Sequence, residues 1–219
     1  MRAKLNWAVL PILRGPLRGF QWLVATRSSF LFGTYEPEQT KLFEEFVKPG
    51  DVIYDIGAHF GYYTLLSSKL AGESGRVLAF EPSPGNLARL YRHIELNDCK
   101  NVQVLELAVS DHEGTAHFET RTGSGVGHLA ESGPLEVRLT TLDSLSQYPL
   151  PQVMKIDVEG AEVGVLQGGK NLFAQCKPVI FLSLHGDELK ATCLKLLGDY
   201  GYTFRQIEPM EVVAVPPKN

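Results

Sequence analysis

The sequence predicts an α/β fold, a single Rossmann-like sandwich with a mostly parallel sheet and a terminal antiparallel pair of strands. From residue 48 onward, short apolar segments of strand length alternate with longer segments of helical periodicity. Parallel strands need long crossovers, which helices supply while they cover both faces of the sheet. A chain of 219 residues most simply forms one such domain, because two cores of ordinary size would leave little chain for linkers.

The first half of this pattern supplies three predicted strands and two helices. A first strand is expected in DVIYDIGA, and a helix in FGYYTLLSSKLAG. A second strand is expected in GRVLAFEP, ending at Glu81, and a second helix in NLARLYRHIELN. Leu87, Leu90 and Ile94 recur there at helical spacing. The third strand is expected in NVQVLELAVSD.

The second half contains a hairpin, two more core strands and a closing antiparallel pair. GTAHFET and LEVRLTTL predict a hairpin insertion at about 114–140, whose Gly/Ser-rich tip is expected to act as a lid or as a solvated loop. VMKID and PVIFLSLHG predict the fourth and fifth strands, each followed by a helix. YTFRQIE and EVVAVPP are expected to pair at the end. Ligands of such sheets bind outside the carboxyl ends of the strands, so the candidate site lies in the loops there.

Residues 1–34 are predicted to form a basic, apolar N-terminal arm before a domain at 35–219. No acid precedes Glu36, whereas five basic residues do: Arg2, Lys4, Arg14, Arg18 and Arg27. The interleaved apolar residues would let residues 1–30 lie weakly on an anionic membrane surface or on an acidic partner. Pro and Gly interrupt any long helix, so a loosely packed arm is the preferred expectation. Neither a membrane span nor a signal peptide is expected.

The composition of the chain argues against several kinds of site and partner. The three cysteines, Cys99, Cys176 and Cys193, are scattered, so they predict neither a disulfide framework nor a thiolate zinc site. A reducing, cytoplasmic location is expected. The formal net charge of −4 argues against a broad nucleic-acid-binding face, since phosphate contacts rely on clustered Lys and Arg. The oligomeric state stays open.

The segment YDIGAHFGYY carries the first feature of the candidate site. It resembles a dinucleotide-binding turn, but His59 stands where a glycine would let the backbone approach a pyrophosphate, and Asp55 adds a negative charge nearby. S-adenosylmethionine fits better, because it carries an adenosine and a sulfonium but no phosphate. Gly57 and Gly61 would then allow the tight turn, and the backbone N–H groups there would meet the carboxylate of the cofactor.

Glu81, at the end of the second predicted strand, is the second feature. It follows the glycine turn by roughly 20 residues, the position from which a carboxylate accepts hydrogen bonds from both ribose hydroxyls. Such bonds to a charged acceptor are worth about 1.5 to 3 kcal/mol each. Glu81 alone would suit NAD equally well, and only its combination with His59 and Asp55 favours S-adenosylmethionine.

The third feature is KIDVEGAE, which ends the fourth strand, together with His185 after the fifth. Asp157 is expected near the cofactor and the acceptor, with Glu159 orienting the substrate or a metal, although either carboxylate could instead cap the next helix. His185 is the candidate general base, because an ordinary His pKa of about 6.5 suits the removal of a hydroxyl proton near neutral pH. In the alternative, all three bind a divalent cation that acidifies the hydroxyl, although their spacing matches no recognisable metal signature.

These motifs occur in a fixed order: GTYEPEQT, DVIYDIGAHFGYYTLL, GRVLAFEPSPGNLARL, TTLDSL and KIDVEGAEVGVLQGG. In that order they closely resemble the FkbM-type methyltransferases over residues 33–181. The resemblance implies a class I S-adenosylmethionine-dependent enzyme that methylates hydroxyl oxygens of sugars, glycolipids or polyketide-like metabolites. His59 departs from the family, where asparagine is commoner. The candidate cofactor-binding residues are Tyr35, Glu36, Asp55, Gly57, Ala58, His59, Gly61, Tyr62, Glu81, Pro82, Ser83, Ala108 and Asp157.

The predicted function is S-adenosylmethionine-dependent O-methylation of a small molecule or glycan, with His185, Asp157 and Glu159 as catalytic residues. In-line transfer from a sulfonium disperses charge, so the main demand on the protein is alignment. Two alternatives stay open: a non-catalytic cofactor-binding or interaction module of the same fold, and an NAD-dependent oxidoreductase. Binding of NADH in preference to S-adenosylmethionine would indicate the oxidoreductase. Cofactor binding without formation of S-adenosylhomocysteine would indicate the binding module.

Overall fold

The chain begins with a short hairpin and two helices. This computed structural model describes residues 8–24, 28–120, 127–130 and 133–217. The first elements are β1 (Val9–Pro11), β2 (Gln21–Leu23), α1 (Ser28–Phe32) and α2 (Pro37–Phe46). β1 and β2 pair antiparallel. Pro37 lies in the first turn of α2, where its missing N–H costs no helical hydrogen bond.

Two strand–helix units and one further strand then build one half of the central sheet. They are β3 (Val52–Ile56), α3 (Tyr62–Ala71), β4 (Arg76–Phe80), α4 (Pro84–Leu96) and β5 (Val102–Leu105). β4 pairs parallel with both β3 and β5. Leu87 and Leu90 of α4 are buried in one cluster with Ala79 of β4, as their helical spacing predicts. The first two predicted strands and both helices are therefore confirmed.

The predicted third strand is wrong in its length, because the chain leaves the central sheet after Leu105. The backbone N–H of Leu107 donates to Leu105 O at 2.8 Å, which closes a tight turn. The next residues join a second sheet, in which Ala108 pairs with Leu139. Its strands are β6 (Ala108–Val109), β7 (Gly114–Thr120), β8 (Gly127–Ala130) and β9 (Leu135–Thr140).

The second sheet has the strand order β6-β9-β7-β8, with β7 antiparallel to β9. Ala108, Phe118, Val137 and Leu139 form a small apolar core of its own. Much of the Gly/Ser-rich tip falls at 121–126 and 131–132, outside the described residues. The lid at this tip, and the extent of the insertion, stay predictions.

The rest of the chain completes the central sheet. Its elements are β10 (Val153–Ile156), α5 (Glu162–Gln167), α6 (Lys170–Gln175), β11 (Val179–Ser183), α7 (Asp187–Asp199), β12 (Thr203–Glu208) and β13 (Glu211–Val215). β12 and β13 pair antiparallel, which confirms the predicted closing pair. Within the described ranges, no helix combines the length and apolar character needed to cross a membrane.

The single helix predicted after the fourth strand is instead two, α5 and α6. Gly168 packs so closely on Ser110 that a Cβ at residue 168 would lie 2.1 Å from Ser110 O. The Asp143 carboxylate accepts hydrogen bonds from the backbone N–H groups of Asn171 and Leu172, at 3.1 and 2.8 Å. A carboxylate at this position caps a new helix N-terminus. The chain therefore restarts as α6.

The strand order of the central sheet is β12-β13-β11-β10-β3-β4-β5. β10 pairs parallel with both β3 and β11. Strands that follow β3 directly extend the sheet to one side, and those that follow β10 extend it to the other. Such a topological switch leaves a crevice at the carboxyl ends of the strands, where ligands bind in open α/β sheets.

The described part of the N-terminal segment is packed into the core, so the expectation of a loosely packed arm is wrong for residues 8–24. Ile12, Leu17 and Trp22 are at most 1% exposed and belong to the apolar cluster that covers α3. Burial of each large apolar side chain contributes about 1.5 to 3 kcal/mol, which offsets the Pro and Gly interruptions. The division of the chain at residue 34 stays a prediction. Several of the basic residues lie outside the described residues: Arg2, Lys4 and Arg27.

His93 of α4 joins this hairpin to the turn after β3. Trp22 stacks on its ring with the centroids 3.8 Å apart. His93 Nε2 accepts the backbone N–H of Leu23 at 3.0 Å, so the proton belongs on Nδ1, which donates to Phe60 O at 2.7 Å. Burial lowers the pKa of His93 to about 4. The ring is therefore neutral in the folded protein at neutral pH.

We expect Trp22→Ala to lower the free energy of unfolding by about 3 to 5 kcal/mol, because loss of a buried aromatic ring leaves a cavity in the core. Leu13 is 53% exposed in the same segment, and Leu13→Ala should change the free energy by no more than about 0.5 kcal/mol. Urea unfolding followed by far-UV circular dichroism measures both. Equal, small effects of the two substitutions would show that the segment is not packed in solution.

The contribution of His93 to the free energy of unfolding should fall as the pH drops from 6.5 towards 4. Its pKa is 6.5 in the unfolded chain and about 4 when folded, so over this range only the unfolded state binds the proton. The contribution of the neutral His93 ring to the free energy of unfolding is present in full above pH 6.5, and about 2 kcal/mol of it is lost by pH 5. Between pH 7 and pH 5 the free energy of unfolding of the wild type should fall by about 2 kcal/mol relative to that of His93→Gln, since the other buried groups titrate equally in both proteins. Parallel pH profiles would contradict it.

Candidate active site

Two adjoining cavities lie at the topological switch, outside the carboxyl ends of β3, β4 and β10. Polar residues line one part of the larger cavity: Glu81, Asn86, Asp157 and Glu159. Apolar residues line another part: Phe80, Leu107, Val109 and Phe118. The smaller cavity is lined by charged and aromatic residues, among them Asp55, Tyr62, Tyr63, Lys155 and Asp157. The crevice therefore forms where the strand pattern predicts it.

Gly57 and Gly61 form the turn after β3, with φ angles of +86° and +94°. A Cβ on Gly57 would lie 1.8 Å from Asp157 O, so only glycine lets the ends of β3 and β10 come this close. A Cβ on Gly61 would lie 2.5 Å from Leu90 Cδ1 of α4. Both glycines therefore serve close contacts within the protein as well as the tight turn.

The backbone N–H groups of this turn do not have the role predicted for them. Gly57 and Ala58 both donate to Phe80 O, at 3.0 and 2.9 Å. The His59 N–H donates to Glu81 Oε2 at 2.8 Å. The expectation that the turn amides bind the carboxylate of the cofactor is therefore wrong for Gly57, Ala58 and His59, because Phe80 O and the Glu81 carboxylate already accept these N–H groups. These three N–H groups are equally unable to bind a pyrophosphate, which needs free N–H donors.

His59 fills the space beside the turn. Its φ of +53° is the left-handed conformation that glycine usually supplies. Its ring stacks on Phe60 with the centroids 3.7 Å apart, and the residue lines both cavities. A pyrophosphate could not approach this backbone as it does in a dinucleotide-binding fold.

Glu81 directly follows β4 and is 3% exposed in the wall of the larger cavity. Its carboxylate accepts the backbone N–H groups of His59 and Ser83, at 2.8 and 2.9 Å, and the Asn86 side-chain amide at 3.2 Å. A carboxylate has about four acceptor positions, so these donors leave room for a ligand hydroxyl. Burial raises the pKa of Glu81 to about 7. A hydroxyl donor bound here would favour the charged form.

Asp55 lies at the smaller cavity, near the carboxyl end of β3. It is buried, and its Oδ2 accepts the Thr64 hydroxyl at 2.5 Å. Burial raises the pKa of Asp55 to about 6, although the Thr64 bond opposes this shift. Asp55 therefore carries most of a negative charge at neutral pH.

Lys155 is a buried cation inside β10. Its Nζ donates to Ser183 Oγ at 2.5 Å and to Asp157 Oδ2 at 3.3 Å. Burial alone would lower the pKa of Lys155, but the charges of Asp157, Glu36 and Glu211 together raise it. Burial would likewise raise the pKa of Asp157, but Lys155 and the neighbouring histidines lower it. The pair is therefore charged.

His185 brings together three carboxylates at the ends of β10 and β11. Its Nδ1 lies 2.7 Å from Glu162 Oε1, and its Nε2 lies 3.3 Å from Glu159 Oε2 and 3.7 Å from Asp157 Oδ1. Glu162 is fully buried and also accepts the Gly160 N–H at 3.0 Å. The hydrogen bond to Glu162, with the charges of Asp157 and Glu159, raises the pKa of His185 against the effect of burial. A raised pKa favours the imidazolium, which cannot accept a proton.

The other predicted cofactor-binding residues divide into two groups. Several line the cavities: Tyr35, Ala58, Tyr62, Pro82 and Ala108. Glu36, Gly61 and Ser83 lie outside the cavity walls. Glu36 accepts the Tyr63 hydroxyl at 2.8 Å, and Ser83 holds Glu81 in place. The ligand contacts of both groups stay predictions.

Phe30, Asn86, Lys155 and Phe118 also line the cavities, although the sequence assigned them no role in binding. The sequence alone could have indicated Lys155, because a charged residue within an otherwise apolar strand is unusual. Phe30 and Phe118 reach the site from α1 and from the second sheet. Their positions depend on tertiary packing, so no local pattern could identify them.

Two curated relatives are methyltransferases by name. The hexuronic acid methyltransferase AglP of Haloferax volcanii is 28% identical over 169 residues, which cover 75% of this chain and 68% of that protein. Methyltransferase 1 of Beauveria bassiana is 28% identical over 143 residues, which cover 53% of this chain and 57% of that protein. The chain thus spans little more than half of the second relative.

Solved structures share the fold. Methyltransferase FkbM from Methylobacillus flagellatus superposes with a TM-score of 0.58 at 16% identity, over 80% of this chain and 50% of that one. Fibrillarin of Aeropyrum pernix, solved with natively bound S-adenosyl-L-methionine, has a TM-score of 0.51 at 15% identity, over 80% of this chain and 73% of that one. These similarities confirm the predicted Rossmann-like class I methyltransferase fold.

The sequence profile of the methyltransferase FkbM domain matches residues 55–204. The matched part runs from β3 to the start of β12 and includes the glycine turn, Glu81, KIDVEGAE and His185. Because the match spans more than half of the chain, the protein belongs to the FkbM methyltransferase domain family.

Proposed function

We propose that this protein is an S-adenosylmethionine-dependent methyltransferase that acts on a hydroxyl oxygen of a sugar, glycolipid or related small molecule. The observation that carries the proposal is Glu81, a buried carboxylate in the cavity wall beside a turn that obstructs pyrophosphate. The family supports methyl transfer. The relative named as a hexuronic acid methyltransferase supports a sugar-like acceptor.

The larger cavity fits the adenosine part of the cofactor. Glu81 has an acceptor position for a ribose hydroxyl, and its charge strengthens such a bond. Phe80, Leu107 and Phe118 supply apolar surface for the flat adenine base. A mostly apolar wall with a few placed polar groups is typical of small-molecule sites.

The smaller cavity fits the amino-acid tail. Asp55 and Asp157 line it and would attract the ammonium group and the neighbouring sulfonium. Lys155 lines the same cavity, and its positive charge would attract the tail carboxylate. These side chains replace the backbone amides as the groups that hold the tail, since those amides are bonded to β4 and Glu81.

The contribution of the protein to the chemistry is mainly alignment. When bound, S-adenosylmethionine supplies a methyl group whose bond to sulfur breaks with the electron pair left on sulfur, while a lone pair of the acceptor oxygen forms the new bond and the hydroxyl proton is released. Correct placement of two reactants contributes about 7 to 11 kcal/mol. Lys155 fixes the orientation of Asp157, and Phe30 and Tyr35 form a wall of the cavities.

Asp157, Glu159 and His185 lie on the acceptor side in this proposal. Two routes for the hydroxyl proton stay open. His185 acts as general base only when its ring is neutral, and the surrounding carboxylates oppose that state. A divalent cation held by the same three residues would act on the hydroxyl directly.

The N-terminal segment fits a weak association with an anionic membrane surface. Leu10, Leu13 and Phe32 are exposed, and Arg14 and Arg18 lie in the same acid-free segment. Apolar side chains with basic neighbours suit such a surface. The cytoplasmic location, and an acceptor that is not a nucleic acid, stay predictions.

Glu81→Gln should raise the dissociation constant of S-adenosylmethionine roughly ten- to a hundredfold, because it removes the charge that strengthens the ribose hydrogen bonds. Isothermal titration calorimetry measures this. Glu106→Gln is the matched control, since Glu106 is an exposed acid at the end of the neighbouring strand and outside the cavity wall. Equal affinities of the two variants, or tight binding of NADH by the wild type, would refute the proposed cofactor.

Turnover tests the proposed activity. The protein with S-adenosylmethionine and a panel of neutral glycosides and hexuronic acids should form S-adenosylhomocysteine, detected by mass spectrometry, only when a suitable acceptor is present. Nuclear magnetic resonance of the product should show a methyl ether. A methyl ester would contradict the hydroxyl assignment. Cofactor binding with no turnover across the panel, with or without magnesium, would favour a non-catalytic binding module.

A further inference from the structure

Asp157, Glu159 and His185 each offer one possible ligand atom to the same cluster. The three atoms lie within 4.8 Å of one another. His185 Nε2 is 3.3 Å from Glu159 Oε2 and 3.7 Å from Asp157 Oδ1. Adjacent ligands of an octahedral cation with bonds of about 2.1 Å are about 3 Å apart. Small side-chain movements would therefore bring all three atoms into one coordination sphere.

Glu162 holds the His185 ring in the orientation that metal binding needs. Glu162 lies outside the three-residue cluster and is fully buried, and its Oε1 is 2.7 Å from His185 Nδ1. When the ring is neutral and its proton lies on Nδ1, the lone pair of Nε2 faces Glu159 and Asp157. Metal-binding histidines commonly donate their other N–H to a carboxylate in this way. Among the described residues, Glu162 Oε2 is buried without a hydrogen-bond partner, so Glu162 makes its side-chain hydrogen bonds through Oε1, to the His185 ring and to the Gly160 N–H.

The charge and the access at this cluster both suit a cation. Three carboxylates surround His185, and Lys155 is bonded to the other oxygen of Asp157. The side chains of Asp157, Glu159 and His185 are 27%, 35% and 30% exposed, so water can reach the cluster. Asp157 and Glu159 also line the larger cavity. A cation bound here would therefore contact both water and the acceptor.

We propose that Asp157, Glu159 and His185 bind a divalent cation of the Mg²⁺ or Mn²⁺ kind at the acceptor edge of the larger cavity. Two carboxylates favour a hard cation, and one imidazole is compatible with Mn²⁺. Three protein ligands leave octahedral positions for water and for the acceptor hydroxyl. The bound hydroxyl releases its proton to solvent more readily, and its oxygen keeps the lone pair that attacks the methyl carbon. This last step rests on the proposed methyl transfer, whereas cation binding does not.

Mn²⁺ is the probe. The chelator-treated full chain, without cofactor, is titrated with Mn²⁺ while electron paramagnetic resonance follows the free ion. Asp157→Asn, Glu159→Gln and His185→Gln should each weaken uptake at least about tenfold. Glu188→Gln is the matched control, since Glu188 is an exposed acid in the first turn of α7, three residues after His185 in the sequence, and its Mn²⁺ uptake should stay within about twofold of the wild type. Spin-echo spectra of bound Mn²⁺ should show imidazole nitrogen coupling that His185→Gln abolishes.

Glu162→Gln tests the positioning of the ring. It should weaken Mn²⁺ uptake about 10- to 100-fold and leave the far-UV circular dichroism unchanged. No uptake by the wild type below about 1 mM Mn²⁺, or uptake that the three ligand variants leave unchanged, would overturn the cation site. Calorimetry of S-adenosylmethionine in EDTA distinguishes this failure from failure of the proposed function. Cofactor binding without Mn²⁺ uptake refutes the cation alone, whereas Mn²⁺ uptake without cofactor binding refutes the methyltransferase and leaves the cation site.

Discussion

The contact between Gly57 and the backbone oxygen of Asp157 sets the distance between the ends of β3 and β10. A Cβ at residue 57 would lie 1.8 Å from that oxygen, so any other residue would push the two strand ends apart. The strands are neighbours in the sheet although they lie far apart in the sequence. Their contact places Asp55 and His59 beside Lys155 and Asp157, with the smaller cavity between them. The proposed cofactor and cation sites both depend on this approach.

The charges collected at the crevice decide which ligands it can bind. Asp55 and Glu81 are almost fully buried, with pKa values raised to about 6 and about 7 because burial disfavours their charged forms. Lys155 offsets only part of this negative charge, through its bond to Asp157. A ligand that brings positive charge or hydroxyl donors relieves the cost, whereas a pyrophosphate would increase it. The excess of negative charge at the crevice therefore suits both a sulfonium and a divalent cation.

Local patterns were sufficient to predict the central sheet but not the walls of the site. Apolar strands alternating with helical spacing predicted its parallel core, and motif spacing placed Glu81 and Asp157 at the carboxyl ends of strands. The break after Leu105 and the restart at α6 depend on contacts between distant residues, such as the packing of Gly168, that no local pattern contains. The turn amides were misjudged for the same reason, since their partner Phe80 O belongs to the neighbouring strand.

The described residues before Glu36 precede the part of the chain that matches the family profile, yet they contribute to the walls of the site. His93 joins the backbone of β2 to Phe60 O in the turn after β3. Phe30 and Tyr35, from the same segment, line both cavities. Glu81, Asp157 and Glu159, in contrast, lie within the matched part. Substitutions at Phe30 or Tyr35 would therefore change the walls of both proposed cofactor cavities, although both residues lie outside the part of the chain that matches the family profile.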